Sequence, residues 1–272
     1  MKYAYPLLTP ECDAALPAAS GDAEVLLPRL RQLGYSGVEP FVRDPSAFDA
    51  DRFARAVESS GLTVCAVGSG PLAVEDGLSL CSPDPDLRRR AIERTKRVVD
   101  FAARFGSQVN IGKLRGMLGS SDREESADRR DAAFREICAY ARDHHVAITL
   151  EPQTMTVVDN LNTTREALDW MSAMALPNLY VMIDTLHAHC DDPDLPSSIV
   201  TARKLLLHIH FSDTGRRAPG SGQIDFKALL HLLHAVEYRR FITIEIKQSP
   251  TMEDAARRAI DYLRYLEECI GA

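Results

Sequence analysis

The sequence has little of what would mark a redox protein, a secreted protein or a membrane protein. It has one tryptophan and six cysteines, and no two cysteines form a Cys-x-x-Cys pair. We therefore expect reduced thiols in the core of a cytoplasmic protein. Pro6, Glu11 and Asp13 interrupt the N-terminal region, which reads neither as a signal peptide nor as an anchor. No apolar run reaches the roughly 18 residues that a membrane span needs.

An excess of basic charge is also missing. The 272 residues carry a formal net charge of −7, which argues against a nucleic-acid partner because phosphate binding needs clustered lysines and arginines. The charge does not exclude a small anionic substrate held by one or two arginines. Hydrophobic residues make up 45% and charged residues 26%, as in ordinary globular domains. No repeat or linker is visible, so a single domain over residues 1–272 is expected.

Strand-like runs recur along the chain with helical segments between them. Most are continuously apolar or β-branched, as parallel strands buried on both faces are. The predicted strands are Lys2–Leu8, Gly37–Phe41, Leu62–Val67, Gln108–Gly112, Val146–Glu151, Leu179–Asp184, Leu205–Phe211 and Phe241–Lys247. Asp86–Phe105 and Met252–Ile270 carry apolar residues at three- and four-residue steps and predict amphipathic helices. Eight strands alternating with helices predict the α/β class and a (β/α)8 TIM barrel.

Four of these runs each carry one side chain that could bind a metal: Glu151, Asp184, His210 and Glu245. Successive members lie 33, 26 and 35 residues apart, about one βα unit each time. The carboxyl ends of barrel strands converge on one mouth, where catalytic sites lie. Three carboxylates and one imidazole there predict an oxygen-rich site for a divalent cation. His208, two residues before His210, points the same way one layer deeper and is interpreted as a core residue.

The motifs around these residues resemble a known family. Leu150-Glu151-Pro152, Ile183–His187, His208–Asp213 and Thr243–Glu245 are similar to the sugar phosphate isomerase/epimerase family. This is the xylose-isomerase-like barrel group that includes ketose 3-epimerases of the tagatose epimerase type. The stretch from Glu151 to Asn162 is especially similar to fructoselysine 3-epimerases.

The resemblance implies the same four metal ligands, with Glu151 and Glu245 as the acid/base pair. Mn²⁺ is the expected cofactor, with Mg²⁺, Co²⁺ or Zn²⁺ as alternatives.

Four further residues are candidates for substrate binding. The resemblance implies that His187 and Arg216 contact substrate oxygens. Glu39, at the end of the second strand, either lines the mouth or forms a salt bridge inside the barrel rim. Lys113, at the end of the fourth strand, either polarises a substrate oxygen or has no role in the site. The sequence departs from the family pattern at Val157. Ketose 3-epimerases often carry a substrate-binding glutamate at this position, so the departure concerns substrate specificity.

These observations predict a metal-dependent isomerase or epimerase of a sugar or sugar derivative in carbohydrate metabolism. A cation bound to a carbonyl oxygen and the adjacent hydroxyl would stabilise an enediolate while carboxylates move the proton. The alternative is a lyase of the inosose or dehydroshikimate dehydratase type on the same barrel. An endonuclease is disfavoured by the charge, and a non-catalytic sugar-binding protein by the intact ligand set. The expected partner is a small sugar, and a homo-oligomer is possible. The glycine-rich loop 214–222 could hold a phosphate, but an unphosphorylated sugar is preferred.

Overall fold

The structure is a computed structural model that describes residues 1–271 and forms a closed barrel of parallel strands with helices outside. The strands are β1 (Lys2–Leu8), β2 (Gly37–Phe41), β3 (Thr63–Val64), β4 (Val67–Gly68), β5 (Val109–Ile111), β6 (Ile148–Leu150), β7 (Leu179–Asp184), β8 (Leu206–Phe211) and β9 (Phe241–Ile244). Their order is β1-β9-β8-β7-β6-β5-β4-β2-β3, and pairing of β1 with β2 closes the ring. The predicted (β/α)8 barrel is confirmed.

The helices lie between the strands in sequence. They are α1 (Ala23–Gln32), α2 (Ala50–Ser60), α3 (Gly70–Val74), α4 (Pro85–Ala103), α5 (Arg123–Asp143), α6 (Thr164–Met174), α7 (Thr185–Asp191), α8 (Leu195–Ala202), α9 (Phe226–Ala235) and α10 (Met252–Ile270), with a short 3₁₀ helix at Lys113–Arg115. The two predicted helices are present as α4 and α10. Asp84 fixes the start of α4 because its carboxylate accepts from the backbone N–H groups of Asp86 and Leu87.

The third barrel strand differs from the prediction. It was expected to be continuous over Leu62–Val67, but it is broken into β3 and β4. Gly37 pairs with Thr63, whereas Phe41 pairs with Gly68, so β3–β4 holds one more residue than β2 over this stretch. Such an extra residue bulges out of the ladder. A Cβ at Gly68 would lie 2.4 Å from the Phe41 ring, so this close approach requires glycine.

The centre of the barrel is polar below its mouth. Glu39, Asn110, Thr149, His208 and Thr243 are all buried there and are joined by hydrogen bonds. The apolar core lies instead between the strands and the outer helices. This arrangement puts a rigid polar layer directly under the predicted metal ligands.

The six cysteines differ in their exposure. All six cysteines are free; Cys12, Cys81 and Cys138 are buried, whereas Cys190 and Cys269 are exposed. The prediction of core thiols is therefore wrong for these last two, which lie on α7 at the mouth and on α10. In residues 1–271 no helix combines the length and apolarity needed to cross a membrane.

Candidate active site

The structure brings the four predicted metal ligands together at the carboxyl ends of four adjacent strands. Glu151 and Glu245 directly follow β6 and β9, Asp184 is the last residue of β7, and His210 lies near the end of β8. All four side chains are buried. One ligand atom from each lies within 4.8 Å of the other three, which is close enough for a single cation to contact them all.

The orientation of His210 fits a metal ligand. Its Nε2 atom lies 2.9 Å from the carboxylate of Glu39, which fixes the imidazole. Its Nδ1 atom is buried, makes no hydrogen bond within the described chain, and lies 3.3 Å from Glu245 Oε2. A histidine that binds a metal commonly donates its other N–H to a carboxylate in this way. The donor set of three carboxylates and one imidazole nitrogen therefore fits a divalent cation.

Glu39 lies below this cluster. It is fully buried, and its Oε1 accepts from Asn110 at 2.7 Å while its Oε2 contacts both His208 and His210 at 2.9 Å. Burial would raise the pKa of Glu39, but the two facing histidines hold it well below its usual range. These contacts correspond to the ion pair inside the barrel, and Glu39 also lines the cavity over the cluster, so the structure fits both roles considered from the sequence. His208 lies one layer below His210, as predicted.

The two carboxylate oxygens of Asp184 accept hydrogen bonds from different partners. Its Oδ1 caps α7 by accepting from the backbone N–H of Leu186 at 2.8 Å and of His187 at 3.2 Å. Its Oδ2 faces the cluster and accepts from Arg216. Burial would raise the pKa of Asp184, but Arg216 and His187 hold it below its usual range.

Arg216 lies among the carboxylates rather than at the outer rim. It takes a left-handed backbone conformation with φ of 59°, and its Nη1 donates to both Asp184 and Glu245. Its Nη2 is 2.9 Å from His187 Nε2. His187 is buried at the start of α7, and this burial lowers its pKa and favours the neutral imidazole. The two predicted substrate contacts are thus neighbours beside the metal ligands.

Glu151 is held by residues that sequence reasoning missed. Its Oε2 accepts from Gln153 at 2.8 Å, and a Cβ at Gly112 would lie 2.4 Å from that same oxygen. The buried guanidinium of Arg115 donates to the backbone oxygens of Glu151 at 2.8 Å and Gly112 at 2.9 Å. Burial raises the pKa of Glu151 to about 8, helped by Glu245 and opposed by His210.

A cavity of about 760 Å³ opens over the cluster. Its floor includes Glu151, His210 and Glu245, and its wall includes Val157. Lys113 lines the mouth and is exposed; it makes no ion pair with any residue from 1 to 271. Lys113 begins the 3₁₀ helix, two residues beyond the end of β5, rather than ending the strand as predicted.

The glycine-rich loop after β8 is closed on Asp213. Its carboxylate accepts from the backbone N–H groups of Gly220, Gly222 and Ile224 at 2.7–3.2 Å. A Cβ at Gly222 would lie 2.2 Å from Asp213 Oδ1, so glycine is required there. These N–H groups are the ones that would otherwise hold a phosphate. The carboxylate thus occupies the place of an anionic ligand.

A closed parallel barrel with acid/base side chains at the carboxyl ends of its strands defines the TIM-barrel class of enzymes. Within that class, the family model described as xylose isomerase-like TIM barrel matches residues 27–266, and the chain belongs to this family. This confirms the resemblance stated from the motifs.

Individual relatives give the comparison more detail. A ketose 3-epimerase of Arthrobacter globiformis is 25% identical over 88% of this chain and 82% of its own length. The crystal structure of D-psicose 3-epimerase with D-tagatose from Clostridium cellulolyticum H10 has a TM-score of 0.83 at 20% identity, covering 98% of this chain and 99% of the other. That of 3-keto-D-glucoside 4-epimerase from E. coli has a TM-score of 0.82 at 18% identity, covering 97% and 99%.

The curated relatives are named as epimerases and isomerases of sugars. They confirm the predicted class of enzyme, an epimerase or isomerase. The alternative, a lyase on the same barrel, is not supported by them.

Proposed function

We propose that this chain is a divalent-metal-dependent epimerase of an unphosphorylated keto sugar or its derivative. It would invert the carbon beside the carbonyl by removing and returning a proton. The observation that carries the proposal is the convergence of His210 and three carboxylates, whose ligand atoms lie within 4.8 Å of one another, with the buried Nδ1 of His210 facing them and making no well-aligned hydrogen bond. A purely structural cluster would satisfy that atom internally.

Glu151, Asp184, His210 and Glu245 would hold the cation. Mn²⁺ is the preferred ion and Mg²⁺ or Co²⁺ the alternatives, because oxygen ligands dominate the set; Zn²⁺ fits less well without a thiolate. When bound, the cation supplies positive charge beside the carbonyl oxygen of the sugar and makes the neighbouring C–H more acidic.

Glu151 and Glu245 would move the proton. They follow β6 and β9, with β7 and β8 between them, so they reach the site from different sides of the mouth. Inversion of a carbon needs an acid and a base on opposite faces. Their carboxylates lie close enough to the same cation for it to acidify the C–H between them.

The remaining predicted residues would bind and orient the sugar. His187 and Arg216 are adjacent to the cluster, and we assign them to substrate oxygens. Lys113 would reach the substrate from the mouth. Glu39 would act as a positioning residue, because both of its oxygens are engaged below the site. Occupation of the glycine loop by Asp213 supports a substrate without a phosphate.

The test is turnover of D-fructose, D-psicose, D-tagatose and L-ribulose by the Mn²⁺-loaded protein, followed by chromatography of the sugars. An epimer of the added ketose is expected, and Glu245→Gln should abolish its formation. Glu253→Gln, which changes an outer glutamate of α10, is the matched control and should keep full activity. A dehydrated product, or activity that survives Glu245→Gln, would overturn the proposal.

A further inference from the structure

We propose that the sugar carries an apolar substituent, such as the aglycone of a glycoside, which binds in a second cavity beside the catalytic one. The inference rests on the proposed function for the sugar itself. The second cavity measures about 290 Å³ and adjoins the first, since both are lined by Val157 and Lys113. A ligand bound at the carboxylates can therefore extend past Val157 without leaving the protein surface.

The second cavity is apolar where a ligand would contact it. Its wall includes Ala73, Leu78, Met117 and Val158. Leu78 and Val158 are already buried within the protein, whereas Met117 is 56% exposed. Covering Met117 with an apolar group would stabilise the complex through the hydrophobic effect.

Two polar side chains of this cavity, Cys81 and Ser82, already make hydrogen bonds within the protein. Cys81 Sγ donates to the backbone oxygen of Met117 at 3.0 Å and contacts Ser79 Oγ at 3.4 Å. Ser82 Oγ accepts from the backbone N–H of Asp84 at 3.2 Å. Beyond Lys113, an occupant therefore gains little from hydroxyl groups, and an alkyl or aryl group fits this part of the cavity better than a second sugar ring.

Lys113 stands where the two cavities join. Its ammonium has no acidic partner among the residues described, and it has three donors. An oxygen that links a sugar to its substituent would pass beside it. The first cavity alone lies within the range of about 300–1,000 Å³ typical of drug-sized ligands, so the two together offer room for more than one sugar ring.

Binding of the methyl and phenyl β-glycosides of a 3-keto-hexose, measured by calorimetry on the Mn²⁺-loaded protein, tests the inference without requiring turnover. The phenyl glycoside should bind about tenfold more tightly or better, as expected from burying a few apolar carbons. Val157→Glu and Met117→Ser should each remove most of this advantage. Val200→Glu is the control, since Val200 is 40% exposed on α8, away from both cavities.

Equal affinity for the two glycosides, or an advantage that survives both substitutions, would overturn the inference. A change of oligomeric state on Val157→Glu, seen by sedimentation, would also overturn it, because the cavity would then be covered by a second copy of the chain. Solvent-deuterium exchange on the bound glycosides is measured in parallel. Tight binding of the phenyl glycoside without deuterium exchange would support the apolar subsite and contradict the proposed function. Deuterium exchange with equal affinities for the two glycosides would support the proposed function and contradict the subsite.

Discussion

The carboxylate of Glu39 accepts a hydrogen bond from Nε2 of His210 at 2.9 Å. The other ring nitrogen of His210, Nδ1, therefore faces the carboxylates of the predicted metal site. The two residues come from β2 and β8, on different sides of the barrel. The contact fixes the plane of the ring. We expect Glu39 to position His210 from below the metal ligands.

Glu39→Gln should weaken metal binding by about 10- to 100-fold, the range typical when the partner of a ligand histidine is changed. The amide keeps the size of the side chain but loses the charge that orients the imidazole. Titration of Mn²⁺ into chelator-treated protein, followed by calorimetry, measures this affinity. Glu58→Gln, an exposed glutamate on α2, is the control. Unchanged affinity in Glu39→Gln would rule out the positioning role.

Arg216→Ala should lower the melting temperature of the chelator-treated protein by several degrees. The guanidinium donates to Asp184 and Glu245, and its loss leaves buried carboxylates facing each other without a counter-charge. Adding Mn²⁺ should remove most of the difference, since the cation restores positive charge at the same carboxylates.

The neighbouring Arg217 provides a matched control for that experiment. It is exposed and contacts Thr214 but no carboxylate. Arg217→Ala should leave the melting temperature unchanged with and without Mn²⁺. Equal effects of the two substitutions would contradict the assignment of Arg216 to the cluster.

Glu151 should make the stability of the chelator-treated protein depend on pH. Its pKa is raised to about 8, so between its ordinary value and pH 8 the folded state holds a proton that the unfolded state lacks. Stability must therefore fall as pH rises through this window, by at most about 1.4 kcal/mol per pH unit from this group. The raised pKa of His210 acts in the same direction above pH 6.5.

Glu151→Gln should flatten this dependence, because the amide does not titrate. Urea unfolding at several pH values between 5 and 8.5, with chelator present, gives the slope of the unfolding free energy against pH for the variant and for the unchanged protein. His210 still titrates in the variant, so a smaller slope remains. If the unfolding free energies of the variant and the unchanged protein depend on pH with the same slope, a raised pKa at Glu151 is contradicted.

A local pattern was enough to predict which side chains come together. Buried parallel strands that end in a polar side chain stand out in the sequence, and the structure brings Glu151, Asp184, His210 and Glu245 to one place, where their role as metal ligands stays a prediction. The break in the third strand could not be seen, since Thr63–Gly68 reads as a continuous apolar run. It is visible only in the pairing with β2, where Phe41 lies against Gly68.

The supporting residues were missed for a related reason. Arg115 was overlooked because arginines are usually exposed, and its burial depends on backbone oxygens that converge only in the folded barrel. The closure of the glycine loop on Asp213 also depends on a fold-specific turn. From the sequence, the loop could hold a phosphate although an unphosphorylated sugar was preferred, and the hydrogen bonds to Asp213 support that preference.

The central claim is that Glu151 and Glu245 exchange a substrate proton beside the carbonyl. The most direct test is turnover of a ketose in heavy water with Mn²⁺, with the site of labelling read by NMR. The account predicts deuterium at the inverted carbon, and its loss in both Glu151→Gln and Glu245→Gln while both variants remain folded. An epimer formed without deuterium at that carbon, or labelling that persists in both variants, would contradict it.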